Sequence, residues 1–121
     1  MYEYKVKSVD HIVDGDTLDV TVDLGFNITH KIRVRLIGIN TPESRTKDLE
    51  EKARGLASKK RFTEIINECM VKDTLLVHTQ KKGKYGRYLG TLISQDADSR
   101  VDINRQLIRE GYAVLYDGGK R

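Results

Sequence analysis

Two carboxylates stand one residue apart in the segment Val-Asp-Gly-Asp-Thr at residues 13–17. Side chains two residues apart on a strand share a face, so Asp14 and Asp16 could present neighbouring oxygen atoms to a hard cation such as Ca²⁺ or Mg²⁺. An Asp-Gly pair is also a common hairpin signal, and a tight turn is the alternative interpretation. The chain has one cysteine, Cys69, and three histidines without paired ligand spacing, so we expect any metal to be held by oxygen.

A second polar stretch surrounds the only proline of the chain, in Asn-Thr-Pro-Glu at residues 40–43, with four residues separating it from Arg35. Pro42 fixes its own φ and favours an extended conformation at Thr41, which suits a turn before a helix. That helix could be capped by one of three residues: Ser44, Thr46 or Asp48. This interpretation leaves Arg35 and Glu43 unexplained, so one wall of a binding site is the alternative.

A basic segment, Lys-Tyr-Gly-Arg-Tyr-Leu-Gly at residues 84–90, is the third candidate. It can be a hairpin loop with a glycine turn and solvated charges. It can also bind a phosphate, because the Arg87 guanidinium donates two parallel hydrogen bonds and Lys84 adds a point charge. Tyr85 could stack on a base or bond to a phosphate. Each of the three motifs is weak evidence when taken alone.

The elements that must position these motifs begin with strands. Alternating apolar and polar residues predict a strand at residues 18–24, and Gly25 with Asn27 marks a turn. Residues 31–39 form the next predicted strand. Within it, the break in alternation before Gly38 predicts a β-bulge.

The rest of the chain alternates between helices and strands. Residues 47–69 are a predicted helix, because apolar residues recur there at spacings of three and four, and residues 101–110 are a second predicted helix that Gly111 stops. Three further strands are predicted at residues 73–79, 87–93 and 112–116. The whole first third of the chain is strand-like, so the order is roughly β-β-β-α-β-β-α-β. Short strands with a helix inserted midway are typical of a five-stranded barrel of the OB type.

Length and composition limit the class of protein. A chain of 121 residues suits one domain. Lys plus Arg number 22 against 18 Asp plus Glu, and the net charge of +4 is compatible with a polyanionic partner without being diagnostic. The charged, alternating N-terminus is unlike a signal peptide, and no stretch reaches the ~20 apolar residues of a membrane helix. We therefore expect a cytoplasmic protein without a membrane partner.

Taken together and in this order, the three motifs resemble the staphylococcal nuclease (thermonuclease-like) family. They read Asp-Gly-Asp-Thr, then Arg with four residues before Asn-Thr-Pro-Glu, then Lys-Tyr-Gly-Arg. The resemblance runs from about residue 6 to residue 116, and Asn104 stands at the place of a buried polar residue in the family's later helix. It implies a mainly β, α+β fold: a five-stranded OB-fold Greek-key barrel with two helices over residues 1–116. Residues 117–121 are predicted to form a flexible tail, without the family's usual C-terminal helix.

The resemblance also implies a calcium-dependent phosphodiesterase that cleaves DNA and RNA and leaves a 3′-phosphate. Glu43 would orient or deprotonate the attacking water, and Arg35 and Arg87 would hold the scissile phosphate. The implied Ca²⁺ ligands are Asp16, Asn40 and the Thr41 carbonyl, with Asp14 in support. The implied substrate contacts are Lys84, Tyr85 and Tyr116.

Two features depart from the family pattern. Asn40 stands where the best-known members carry aspartate, so the site loses one negative charge and we expect weaker Ca²⁺ binding. Tyr116 appears one position away from the family's tyrosine pattern, and a core or rim position is its alternative.

The short C-terminus leaves the state of association open between a monomer and a weak homodimer. The leading functional hypothesis is a Ca²⁺-dependent nuclease. The main alternative is a nucleic-acid-binding module without hydrolysis, and a structural domain in a larger assembly is a weaker third.

Overall fold

The computed structural model of the chain describes residues 2–82 and 87–116. The strands in these residues are β1 (Tyr2–Asp14), β2 (Thr17–Asp23), β3 (Thr29–Leu36), β4 (Ile39–Asn40), β5 (Leu75–Lys82), β6 (Arg87–Gln95), β7 (Arg100–Asp102) and β8 (Val114–Leu115). The helices are α1 (Leu49–Lys72) and α2 (Ile103–Arg109). No helix in the described ranges has the length and apolar character needed to span a membrane.

Five of the strands close into a barrel. The sheet order is β3-β2-β1-β5-β6-β7, and β3 also pairs with β6 in parallel, which closes the five strands from β3 to β6. The other pairings in this sheet are antiparallel. Strand β7 extends the sheet beyond β6, and β4 pairs separately with β8. The predicted mainly β, five-stranded barrel with two helices is confirmed.

The barrel interior follows from the alternation in the strand sequences. Leu18 and Val20 of β2 and Val34 of β3 are fully buried, whereas the residues between them face outward. Helix α1 covers the barrel with Phe62 and Ile66, which are also fully buried. Polar residues between the core positions, such as Asp19 and Arg33, therefore lie on the outer side of the barrel, where a site can form.

The predicted bulge at Gly38 is wrong, because the chain turns there. Strand β3 ends at Leu36, and Gly38 adopts a left-handed φ of 81° before β4 begins. That conformation suits glycine and ends the strand. The irregular pairings lie elsewhere, mainly in β1, whose register with β2 shifts at three places. Such shifts let a long strand bend around a small barrel.

Both helices begin later than predicted, because an aspartate caps each of them. Asp48 accepts hydrogen bonds from the backbone N–H groups of Glu50 and Glu51, so of the three candidate caps it is the one used. Asp102 caps α2 in the same way, because its side chain accepts a hydrogen bond from the Arg105 backbone N–H. The expected helix at 101–110 is thus shortened at its start, where residue 101 belongs to β7. The last strand is limited to Val114–Leu115.

Candidate active site

The Asp-Gly-Asp-Thr motif is both a hairpin turn and part of a cleft. Asp14 and Thr17 pair at the ends of β1 and β2, with Gly15 and Asp16 in the turn between them. The turn lies tightly against α1, because a Cβ on Gly15 would come within 2.9 Å of the Ser58 Cβ. The two interpretations of this motif are therefore compatible: the turn brings both carboxylates to the same place.

Asp16 is buried, with 3% of its surface exposed, and each of its carboxylate oxygens accepts a hydrogen bond. The Thr17 hydroxyl donates to Oδ1 at 3.0 Å, and the Thr41 backbone N–H donates to Oδ2 at 3.1 Å. The Asp16 carbonyl also accepts from the Leu36 N–H at 2.8 Å. A buried carboxylate needs such partners because it has left water. These bonds link the first hairpin, the end of β3 and the Asn-Thr-Pro-Glu segment.

Arg35 is the positive partner of Asp16. Its Nη1 lies 3.2 Å from Asp16 Oδ2 and donates to the Leu36 carbonyl at 3.0 Å. Its Nη2 donates to Asn40 Oδ1 at 3.3 Å. Arg35 is 6% exposed, and its Cζ lies 6.0 Å from the centre of the Tyr116 ring. Removing one partner of such a buried pair leaves an uncompensated charge, so Asp16 and Arg35 depend on each other.

Asp14 ties the loop after Pro42 to the hairpin. The Ser44 hydroxyl donates a hydrogen bond to Asp14 Oδ1, and Arg45 Nη2 lies 3.8 Å from Oδ2. Ser44 is therefore not the cap of α1 that the sequence allowed. Between these contacts Glu43 stays exposed at the cleft. The loop backbone also rests on α1 at Gly55, where a Cβ would lie 2.3 Å from the Glu43 carbonyl oxygen.

These side chains surround an open cleft of about 130 Å³. Its walls are formed by Val13, Asp14, Asp16, Thr17, Arg33, Thr41, Pro42, Glu43, Arg45 and Arg87. Five of the predicted site residues are thus brought together: Asp14, Asp16, Thr41, Glu43 and Arg87. Arg35 lies next to them through its ion pair with Asp16, and Asn40 through the hydrogen bond that it accepts from Arg35. Tyr116 lies beside Arg35, and Lys84 and Tyr85 lie outside the described residues.

Two arginines of the cleft were not predicted as site residues. Arg45 follows the Asn-Thr-Pro-Glu segment directly and is exposed. Arg33 donates from Nε and Nη2 to the two carboxylate oxygens of Asp19, at 2.7 and 3.0 Å. These hydrogen bonds hold the pKa of the Asp19 carboxyl below its usual value and raise the pKa of Arg33. The sequence feature that could have identified Arg33 is its polar, outward position in the alternation of β3.

The donor atoms around Asp16 suit a hard cation by their chemistry. Carboxylate oxygens of Asp14 and Asp16, the Asn40 amide oxygen and the Thr41 carbonyl are all oxygen ligands of the kind that Ca²⁺ prefers. The negative charge of these ligands is low for a Ca²⁺ site. Among the described residues, no group of three or more His, Cys, Asp or Glu side chains is arranged to hold a metal ion. The residues therefore fit Ca²⁺ by atom type, with an amide in place of one carboxylate.

A closed, mainly β barrel of five strands with two helices is typical of the OB fold. The family model described as "Staphylococcal nuclease homologue" matches residues 33–121, and the chain belongs to this family. The resemblance seen in the three motifs is thereby confirmed.

Several curated proteins are similar to the chain. An uncharacterised protein of Methanocaldococcus jannaschii is 29% identical over 95% of this chain and 61% of its own length. Protein ParB of Escherichia coli is 31% identical over 89% of this chain and 55% of its length. Endonuclease YhcR of Bacillus subtilis is 28% identical over 89% of this chain and 9% of its length. The chain thus spans little more than half of the first two relatives and a small part of the third.

Proposed function

We propose that this chain is a nuclease domain that hydrolyses phosphodiester bonds of DNA and RNA with the help of Ca²⁺ and leaves a 3′-phosphate. The observation that carries the proposal is the cleft in which exposed Glu43 and half-buried Arg87 share the walls with buried Asp16. Membership of the staphylococcal nuclease homologues supports it, as does a relative whose name is Endonuclease YhcR.

The guanidinium groups would prepare the phosphate for attack. A phosphodiester is negatively charged and repels a hydroxide nucleophile, so cationic groups must first neutralise it. Arg35, fixed by Asp16 and Asn40, and Arg87, in the cleft wall, would hold the scissile phosphate. The negative charge on the phosphoryl oxygens grows as water adds. Preplaced guanidinium groups therefore stabilise the transition state more than the bound substrate.

Glu43 would accept the proton of the attacking water. Its side chain is exposed at the cleft, whereas the loop that carries it is held by Ser44 on one side and by α1 on the other. A general base must lie within hydrogen-bond reach of the proton that it removes. Fixing the loop backbone serves this requirement, because a displacement of about 1 Å can cost roughly a hundredfold in rate.

The residues that would hold Ca²⁺ are Asp16, Asn40 and the Thr41 carbonyl, with Asp14 in support. When bound, Ca²⁺ supplies Lewis-acid polarisation of the phosphoryl oxygen and orients the water. Asp14 in turn fixes Ser44, so it would keep the ligand loop and the hairpin together.

Exchange of Glu43 tests the proposal. Glu43→Gln keeps the size of the side chain but cannot take a proton, and general-base loss typically costs about 10²–10⁴ in rate. Single-turnover cleavage of a short oligonucleotide is measured with Ca²⁺ and with chelator. Glu50→Gln, on the exposed start of α1, makes the same chemical change away from the cleft and should cut at the wild-type rate. If Glu43→Gln cuts as fast as wild type, the role of Glu43 is wrong.

A second candidate is a module that binds nucleic acid without hydrolysing it. Asn40 favours this candidate, because its uncharged amide accepts from Arg35 where the family's best-known members offer a carboxylate. Wild-type protein that binds DNA and RNA but shows no Ca²⁺-dependent cleavage would support the module and exclude the nuclease. The proposed substrate contacts of Lys84, Tyr85 and Tyr116 apply to either candidate.

A further inference from the structure

Arg33 occupies an outward position on β3 that the proposed reaction does not use. Its side chain is 48% exposed and is bound in a two-point geometry by Asp19 on the neighbouring strand β2. The two residues face each other directly in the register of β2 and β3. An exposed cross-strand ion pair contributes little to stability, so stabilisation alone is a weak reason for this arrangement.

The position of Arg33 places it beside Arg87. The two residues are direct partners in the parallel pairing of β3 with β6, the seam that closes the barrel. Both side chains line the same cleft. Like charges directly opposite each other in a sheet are destabilising. Asp19 offsets part of this repulsion from the side away from β6, which allows two guanidinium groups to stand next to each other.

Asp19 occupies only part of the Arg33 guanidinium. The contacts use Nε and Nη2, and within the described residues Nη1 makes no hydrogen bond. A guanidinium carries five N–H donors in a rigid plane. When a carboxylate binds the donors along one edge, the donors along another edge can still bind an anion. Arg33 is thus oriented before any ligand binds, which lowers the entropic cost of using it.

We infer that Arg33, oriented by Asp19, binds the phosphate next to the scissile phosphate, so that the cleft prefers a nucleic acid strand with at least two consecutive phosphates. The inference rests on the proposed function, in which Arg35 and Arg87 hold the scissile phosphate. The Cα atoms of Arg33 and Arg35 are two strand residues apart, about 7 Å at the usual rise of a β-strand. Consecutive phosphates of an extended single strand are separated by a distance of the same order.

Equilibrium binding tests this subsite without catalysis. The probe is fluorescein-labelled decathymidylate in EDTA, followed by anisotropy over a series of salt concentrations. Arg33→Gln should weaken binding about tenfold, as expected for a lost charge-assisted hydrogen bond. The slope of log K against log salt should fall by about 0.7, the value for one phosphate contact on a single strand. Arg33→Lys keeps the charge but loses the planar, two-point hydrogen bonding. Its affinity should lie between those of wild type and Arg33→Gln.

Lys31→Gln is the matched control. Lys31 is exposed on the same strand, removal of its charge changes the net charge equally, and it does not line the cleft. It should alter affinity by less than about twofold, because an exposed charge outside the contact is largely screened. An equal loss of affinity for decathymidylate in Arg33→Gln and in Lys31→Gln would overturn the inference. So would a wild-type protein that fails to bind decathymidylate at low salt.

Substrate length separates the subsite from the nuclease proposal. With Ca²⁺, the kcat/KM of wild type for a thymidine dinucleotide should rise when a second phosphate is added at one of its ends, and Arg33→Gln should lose that gain. If wild type cleaves but gains nothing from a second phosphate at either end, the subsite is wrong and the nuclease stands. If nothing is cleaved but Arg33→Gln still weakens binding selectively, the nuclease fails and the phosphate subsite stands.

Discussion

Gly55 of α1 lies against the backbone of the loop that carries Glu43, so its replacement by alanine tests how closely the helix holds that loop. A Cβ on Gly55 would lie 2.3 Å from the Glu43 carbonyl oxygen and 2.6 Å from the Ser44 nitrogen, whereas ordinary contacts begin at 3.4 Å. These atoms belong to the backbone, so no side-chain rotation relieves the overlap. The helix or the loop must move by about 1 Å in an overpacked contact of this kind.

The expected change in stability has the opposite sign to helix propensity. In a free helix interior, glycine to alanine stabilises by about 1 kcal/mol. Overpacking typically costs about 1–3 kcal/mol, and the overlap at Gly55 is at the severe end because it involves backbone. We expect Gly55→Ala to lower the free energy of unfolding by about 2 kcal/mol net, which corresponds to a fall in Tm of roughly 6–8 °C for a domain of this size.

Urea unfolding provides the measurement, with Ala57→Gly as the control. Ala57 is exposed on the same helix, so its change reports propensity alone and should cost about 1 kcal/mol. Single-turnover cleavage by folded Gly55→Ala should fall at least about tenfold, because the displaced loop carries Glu43. If Gly55→Ala is more stable than wild type, the close contact between Gly55 and the backbone of the Glu43 loop is refuted. A destabilised protein that cleaves at full rate would refute the positioning of Glu43 by α1.

Three further changes probe other contacts. Asn40→Asp should strengthen Ca²⁺ binding, because it adds a carboxylate beside Asp16; titration calorimetry that shows equal or weaker affinity in a folded variant would exclude Asn40 as a ligand. Asn104→Ala should cost about 3 kcal/mol in urea unfolding, because it removes the buried side chain that accepts from the Leu92 N–H and donates to the Ile37 and Gly90 carbonyls; a loss under about 1 kcal/mol would contradict this. Hydrogen bonds from Arg61 lower the pKa of Glu110 from 4.5 to about 2, so their contribution is present above about pH 4.5 and is lost as pH falls towards 2. Glu110→Gln should therefore unfold about 0.5–1 kcal/mol more easily at neutral pH and match wild type near pH 2; a difference that persists in acid would be contrary to this cause.

Local patterns predicted the barrel well, because alternation reports burial directly. Leu18, Val20 and Val34 were assigned to strands by their period of two, and they are core residues of the closed barrel. The ends of elements were harder. Gly38 fits a bulge as well as a turn, and the left-handed φ of Gly38 together with the hydrogen bond from the Ile37 N–H to the Gly90 carbonyl shows how the chain leaves β3. That bond joins residues far apart in sequence, which no local pattern can report.

The candidate site was predictable as a set of residues but not as a set of contacts. The spacing of Asp14 and Asp16 suggested that they lie together, and they do line one cleft. Ser44 looked like a helix cap, whereas Asp48 takes that place and Ser44 binds Asp14. The difference arises because a hydroxyl can serve a local turn or a distant carboxylate equally well. The catalytic and metal-binding roles of the cleft residues stay predictions.

The parallel seam between β3 and β6 has a consequence for how activity appears during folding. It joins segments that are more than fifty residues apart in the chain, so closing it carries a large loop-closure cost and is expected to come late. Arg35 belongs to β3 and Arg87 to β6, so under the proposed function the two guanidinium groups would face one phosphate only after the seam has closed. A partly folded barrel could then keep its hairpins and its helix without the proposed activity. The rate at which the proposed nuclease activity is gained after dilution from urea would therefore report the last step of barrel closure.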